Sequence, residues 1–308
     1  ELLSDRSLLG ESAPAGDTAW HGAVEPLGPG WAGLALLSRA AGYANHRENY
    51  STIFRIDSME PLIDGPPFVR ALEELVAAAA SGPPEQLTYD PAAVRRAFWR
   101  SQCGLALTWP SAAREPSSTA DSPEAEAPAA GEEVPPGDSG LSVGLAELPG
   151  SMEAYDVAEK QWEPRRGEGE EPYVPLLGTA GRMGLVLKRC PWPEAAFRLL
   201  FWLSGEQSSR VSPASPATTL FRRAHVPSPE NWVEEPMPPA AAAQYAEMTQ
   251  ATLCRPQWLF PLRIPGRREY LAALDEAVQR AVRGDQTPDE ALDQAAETWR
   301  QITDKLGL

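Results

Sequence analysis

The last stretch of the chain, GDQTPDEALDQAAETWRQITDKLGL, spells a helix that cannot stand alone, and this limits what the rest can be. Thr287 can cap the first turn with its hydroxyl, Pro288 has the preset φ of a first helical residue, and Glu290 stands three after the cap to close a capping box. Leu292, Ala295, Ala296, Trp299, Ile302 and Leu306 recur at three- and four-residue spacing. They share one face, and that face must dock on a body.

The body is written in short elements. Residues 31–45 read as an apolar helix, and PPFVRALEELVAAAASG as a second, with Pro67 near its start, Phe68, Leu72, Leu75, Val76 and Ala79 inward, and Gly82 past its end. A third, YDPAAVRRAFWRSQ, has Asp90 as cap and runs into CGLALTWP, which reads as a buried strand stopped by Pro110. LSVGLAELPGS reads as another strand, followed by a polar stretch around Tyr155 and Trp162. VPLLGTAGRMGLVLKR reads as two strands around a glycine turn, and PEAAFRLLFWLSG and LAALDEAVQRAVRG as helices closed by Gly205 and Gly284. Helices alternating with short strands are the grammar of an α/β fold.

Composition sets further bounds. With 308 residues and 43% hydrophobic content, there is room for about two domains with real cores. The 32 prolines and 24 glycines require many loops. Residues 111–140 carry proline, alanine, serine and acid with no aromatic, so they bury too little to offset their ordering entropy and are expected to form a disordered acidic loop. A net charge of −16 argues against nucleic acid or an anionic membrane surface as partner, and a neutral or cationic ligand suits it better. No apolar run approaches the ~18 to 20 residues of a membrane span. The sequence begins at Glu1 without a signal segment, which leaves open one removed upstream. Cys103, Cys190 and Cys254 are far apart with no CxxC pair and read as buried small hydrophobes, not metal ligands.

Signals for catalysis are thin. His21, His46 and His225 stand alone, and there is no HExxH, GxSxG or phosphate-cradling GxxxxGK[ST]. Glu73-Glu74 and Glu132-Glu133 read as solvated charge. The expectation is a protein that is not an enzyme, with no cofactor and no metal. Ten tryptophans are the stronger signal, since an indole face fits the C–H face of a sugar as well as it fills a core. Trp109 follows a strand directly and is fixed by Pro110, so it stands at a strand's carboxyl end, where α/β proteins open ligand crevices; stacking platform and core filler both remain open. GTAGRMG, from Gly178 to Gly184, is either a ligand-approaching turn or a tight hairpin. Trp31 and Tyr270 lie at element edges, where packing is the commoner role.

Taken together, these pieces resemble the extracellular solute-binding proteins of bacterial ABC importers, in the carbohydrate-binding family that includes maltose-binding protein. AVQRAVRGDQTPDEALDQAAETWRQI looks like that family's closing helix pair. FVRALEELV, GLALTWP, LAELPGS, LLGTAGRMGLVLKR and PEAAFRLLFWLSGEQSSRV follow its order from Trp31 to Leu308. The resemblance implies a two-lobed periplasmic-binding-protein fold of class II, with a second lobe over 14–148 and 262–308, remaining parts of a first lobe over 170–255, and hinge crossings at 149–169 and 256–261. It implies a periplasmic or extracellular protein, acting as a monomer, that binds a sugar or oligosaccharide and delivers it to a membrane permease by lobe closure. By the same resemblance Trp109 stacks on sugar, Trp31 and Tyr270 contribute aromatics, and Gly178, Thr179 and Gly181 border the cleft. Nothing here supplies the family's first-lobe N-terminal strands, so the chain resembles a fragment whose first lobe lacks cover and exposes an apolar face. The rival expectation is a non-catalytic interaction or scaffold module that recruits through the acidic loop.

Overall fold

The computed structural model describes residues 20–49, 51–109, 143–165, 171–177, 184–204, 223, 226–229, 233 and 237–308. The expected loop 111–140 and the turn residues Gly178, Thr179 and Gly181 lie outside them. The chain divides into two compact units, one made of Glu1–Thr108, Leu148–Thr179 and Arg255–Leu308, the other of Trp109–Glu147 and Ala180–Cys254.

The larger unit is built around α1 (Ala32–Ala44), whose sequence AGLALLSRAAGYA is apolar almost all round and is buried almost all round. That is the pattern of a central helix. It packs against both α2 (Pro66–Ala79) and α6 (Arg267–Arg283), which also touch each other, while α7 (Pro288–Leu306) lies on α6 and α2. Gly33 allows the α1–α6 approach, because a Cβ there would meet the Leu274 side chain at 3.2 Å. Beside this bundle, β1 (His21–Val24) and β2 (Cys103–Ala106) pair in parallel, with His21 opposite Cys103 and Val24 opposite Ala106. Helix α3 (Pro91–Trp99) leads into β2 and packs on it, capped by the Asp90 carboxylate accepting from the Ala93 N–H at 2.7 Å.

The closing pair supplies the largest core side chains. Trp299 and Tyr270 are both fully buried, and with Phe54 they form an aromatic trio with centroids 5.1–5.6 Å apart. Every polar atom in the trio is satisfied. The Trp299 indole N–H donates to the Tyr270 carbonyl at 2.8 Å. The Thr303 hydroxyl donates to the Trp299 carbonyl at 2.9 Å, so the Tyr270 phenol is the donor in its own 2.9 Å bond to Thr303. The capping box forms as the sequence predicts, with Thr287 and Glu290 bonded in both directions. The inward stripe gives out in its last turn, where Ile302 is half-buried and Leu306 is exposed.

Other expectations are corrected. CGLALTWP does form a strand, but Gly104 and Leu105 are exposed, so it is a surface strand, not a buried one. The described part of LSVGLAELPGS, residues 143–151, is irregular. The stretch around Tyr155 and Trp162 is an antiparallel hairpin, β3 (Glu153–Asp156) with β4 (Gln161–Pro164), that packs on α1 within the larger unit. Its sequence alternates weakly and gives no strong strand signal. Of the cysteines only Cys103 is buried, with its thiol pushed up to about 11; Cys190 is half-buried and Cys254 exposed. The smaller unit holds α4 (Pro193–Leu203) and α5 (Pro239–Leu253), the second without a sequence signature because its alanine-rich text has little amphipathic pattern.

Because Trp299 fills the centre of the helix packing, Trp299→Ala is expected to cost about 3–5 kcal/mol of unfolding free energy in urea denaturation. A loss under about 1 kcal/mol would contradict its place in the core.

Candidate functional site

Parallel pairing of β1 and β2 brings their carboxyl ends to one edge. Each strand there hands the chain to a loop that carries a tryptophan. From β2, Leu107 N–H donates to the Val24 carbonyl at 3.0 Å and the Thr108 hydroxyl to the Pro91 carbonyl at 3.2 Å, which fixes the backbone up to the residue before Trp109. From β1, the loop EPLGPGW leads to Trp31, at the start of α1. Both indoles are half-buried.

The loop before Trp31 is held tightly by residues distant in sequence. Gly28 donates to the Tyr89 carbonyl at 2.9 Å and lies so close to residues 88–89 that a Cβ would fall 2.8 Å from that oxygen. Gly30 adopts φ +86, a left-handed conformation that glycine tolerates at little cost. The Asp275 carboxylate, on α6, accepts the Gly30 N–H at 2.6 Å and the Gly33 N–H at 2.7 Å. Two otherwise orphaned amides around the start of α1 are thereby satisfied. Burial pushes the Asp275 carboxyl up, against the opposing pull of the two amides. One turn further along α6, Gln279 donates to the Leu27 and Leu87 carbonyls at 3.0 and 3.3 Å. At the start of the loop, buried Glu25 pairs with Arg39; its carboxyl is raised by desolvation in spite of that cation.

Tyr270, expected at the cleft, has its ring wholly inside the core and its hydroxyl bonded to Thr303. An aromatic at a helix start is compatible with either role, and here the facing Trp299 and Phe54 decide for packing.

Two further clusters have no signature in the sequence. On the α2–hairpin face, the Arg70 guanidinium lies over the rings of Tyr43 and Trp162, 4.5 and 5.1 Å from their centroids, and pairs with Glu153. Desolvation first, then a 2.7 Å hydrogen bond to Glu74, pushes the Tyr43 phenol up to about 12. A depression of about 340 Å³ lined by Asp64, Arg70, Glu73, Trp162 and Asp289 opens beside it. The other cluster joins His46, Asp156 and Glu163, whose ligand-type atoms lie within 4.8 Å of one another. Its hydrogen bonds fit a staple better than a metal centre. His46 Nδ1 accepts from the Glu48 N–H, so Nε2 carries the ring proton and donates to Glu163 at 3.2 Å. Asp156 Oδ1 accepts from the Ala158 and Glu159 amides. Asn49, which donates to the Tyr155 carbonyl and accepts from the Val157 N–H, and Arg165, which donates to the Gly42 and Asn45 carbonyls, complete the fastening of the hairpin to the end of α1.

No family model and no curated protein sequence matches the chain. Solved structures do. Maltose-bound MalE3 of T. maritima superposes with a TM-score of 0.54 at 17% identity, over 92% of this chain and 61% of that one. The ABC transporter solute-binding protein of Agrobacterium radiobacter K84 in complex with ribitol gives 0.52 at 15% identity, over 98% and 63%. That of Agrobacterium vitis S4 with bound D-mannitol gives 0.52 at 14%, over 98% and 66%. The chain therefore has the α/β fold of two-lobed solute-binding proteins, and it spans about three-fifths to two-thirds of the length of the structures it matches. The fold expected from the sequence is the fold found.

Removing the Asp275 carboxylate leaves two amides without their acceptor. Asp275→Ala is expected to lower stability by about 2 kcal/mol and to speed hydrogen exchange at Gly30 and Gly33; unchanged exchange there would show that the bonds do not hold the loop. Millimolar Zn²⁺ or Mn²⁺ is expected to leave the melting temperature unchanged, whereas His46→Ala lowers it. Metal stabilisation that His46→Ala abolishes would contradict the staple.

Proposed function

We propose that this chain belongs to an extracellular or periplasmic solute-binding protein that takes a sugar, oligosaccharide or polyol and delivers it to the permease of an ABC importer. The observation that carries the reading is the common edge formed by the carboxyl ends of β1 and β2, each followed by a loop bearing a half-buried tryptophan. Ligands of open α/β sheets bind outside such strand ends. The fold agrees with this reading, and the neighbours' own ligands, maltose, ribitol and D-mannitol, are all neutral and polyhydroxylated. A net charge of −16 is compatible with neutral solutes and poorly suited to anionic ones. Among the described residues no helix is long and apolar enough to cross a membrane.

In this reading Trp109 and Trp31 offer indole faces to the C–H surfaces of the solute, and the backbone amides of Gly178, Thr179 and Gly181 offer hydrogen bonds to its hydroxyls. Tyr270 has no part in contact with solute, because its side chain belongs to the core. Closure of two lobes on the solute would exclude water and give the permease a form to recognise.

Tryptophan fluorescence of the full encoded protein, titrated with maltose, ribitol and D-mannitol, tests the residue assignment. Trp109→Ala is expected to weaken affinity for the bound solute about tenfold or more, and Tyr270→Phe to leave it within about twofold. Equal affinity in wild type and Trp109→Ala would remove Trp109 from the site.

A further inference from the structure

Two tight turns of the larger unit each bring a cation to the same cavity. The first runs from Arg55 to Glu60. The Arg55 N–H donates to the Glu60 carbonyl at 2.8 Å, the Met59 N–H donates to the Arg55 carbonyl at 2.8 Å, and Phe54 pairs with Pro61 just outside the turn. The second is the turn of the β3–β4 hairpin, closed by the pairing of Asp156 with Gln161. Lys160 sits in it with φ +54, a left-handed conformation uncommon for a residue that carries a side chain. Asn49 ties this hairpin to the end of α1, donating to the Tyr155 carbonyl at 2.8 Å and accepting from the Val157 N–H at 3.1 Å. Arg55 and Lys160 are thus both carried on backbone whose path is fixed.

The cavity they line has a volume of about 300 Å³, which reaches the lower end of the range of roughly 300–1,000 Å³ found for small-molecule sites. Thr52, Phe68, Tyr155 and Val157 line it as well. Phe68 is buried and the other three are half-buried, whereas Arg55 and Lys160 are exposed, so a partly apolar floor lies under a cationic rim. Acids outnumber bases by 43 to 27 in this chain, and Arg39, Arg70 and Arg300 each hold a carboxylate partner. Among the described residues Arg55 and Lys160 hold none. Asp64 shares the lining, but its carboxylate is engaged by Arg300 at 3.1 Å. Two cations without counter-charge, held over an apolar floor, are suited to an anion that has an apolar part.

We infer that this cavity is a second ligand site, which takes a small organic oxyanion, a carboxylate or phosphate group on an apolar body. Arg55 and Lys160 bind the oxyanion through charge-assisted hydrogen bonds, the Thr52 hydroxyl offers a further donor, and the apolar body lies on Phe68, Tyr155 and Val157. The acidity of the whole chain does not forbid this, since exposed charges are screened beyond a Debye length of about 8 Å at physiological salt and the nearest cations decide. None of the lining residues belongs to the loops that carry Trp31 and Trp109. The site is therefore independent of the solute reading.

Calorimetric titration of the protein at low ionic strength with phenyl phosphate, benzoate, inorganic phosphate and benzyl alcohol tests the inference. Phenyl phosphate or benzoate is expected to saturate at one site per chain, and the tighter of the two names the head group. Inorganic phosphate is expected to bind about tenfold more weakly, because it leaves the apolar floor uncovered, and benzyl alcohol to give no saturable heat. Lys160→Gly keeps the fold testable, because glycine takes a left-handed φ freely: affinity is expected to fall about fivefold or more while the melting temperature stays the same or rises. Arg55→Gln is expected to weaken binding to a similar degree. No saturable heat with any of the three anions would overturn the inference, as would equal affinity for phenyl phosphate in wild type and in the Arg55→Gln/Lys160→Gly double variant. Inorganic phosphate that binds as tightly as phenyl phosphate would also overturn it, by showing an adventitious ion only. No sugar enters these titrations, so the sugar reading and this one fail separately.

Discussion

One buried carboxylate ties the architecture of this chain to its candidate site. Asp275 sits on α6, in the closing helix pair, and reaches across to the amides of Gly30 and Gly33, more than two hundred residues away in sequence, where α1 begins. The contact works because Gly33 lets α1 approach the Leu274 side chain closely and because Gly30 adopts a left-handed φ. Beyond it, the loop after β1 has a fixed path, with Gln279 holding its other side through the Leu27 carbonyl. Trp31 is thus presented by a segment anchored on α6, and the aromatic trio of Phe54, Tyr270 and Trp299 holds α6 and α7 together behind it.

This explains why the closing helices are written so carefully. A capping box, a left-handed glycine after each helix and a wholly buried tryptophan over-determine the pair. The same logic recurs at the hairpin β3–β4, which carries few apolar residues of its own and is attached through side-chain hydrogen bonds from Asn49, Arg165 and His46. Both devices use hydrogen-bonded polar groups to fix position, while the apolar contacts supply most of the stabilisation.

The legible parts of the sequence were those with a local signature. Helix starts at Pro67, Asp90 and Thr287 and the helix ending at Gly284 could be read, because caps and periodicity are written within a few residues. The hairpin and α5 could not, since one has weak alternation and the other is largely alanine, so only tertiary contacts decide them. At the candidate site, Trp109 was marked by its place after a strand, but the parallel partner β1 that gives this place meaning is a four-residue strand with no pattern to reveal it. The place of Tyr270 is illegible for a related reason: an aromatic at a helix start does not show which way it faces, and Trp299 and Phe54, which settle the matter, lie 29 residues after it and far before it. The staple of His46, Asp156 and Glu163 was invisible because its members converge only when the hairpin docks.

The central claim is that this fold, with its tryptophan-bearing loops at the carboxyl ends of β1 and β2, serves to bind a neutral polyhydroxylated solute. Isothermal calorimetry of the full encoded protein against maltose, ribitol and D-mannitol tests it most directly. The account predicts a saturable heat with one of them, at one site per chain, with a negative heat-capacity change from aromatic burial. A well-folded protein that gives no heat with any of the three and instead saturates with an anionic or peptide solute would contradict it.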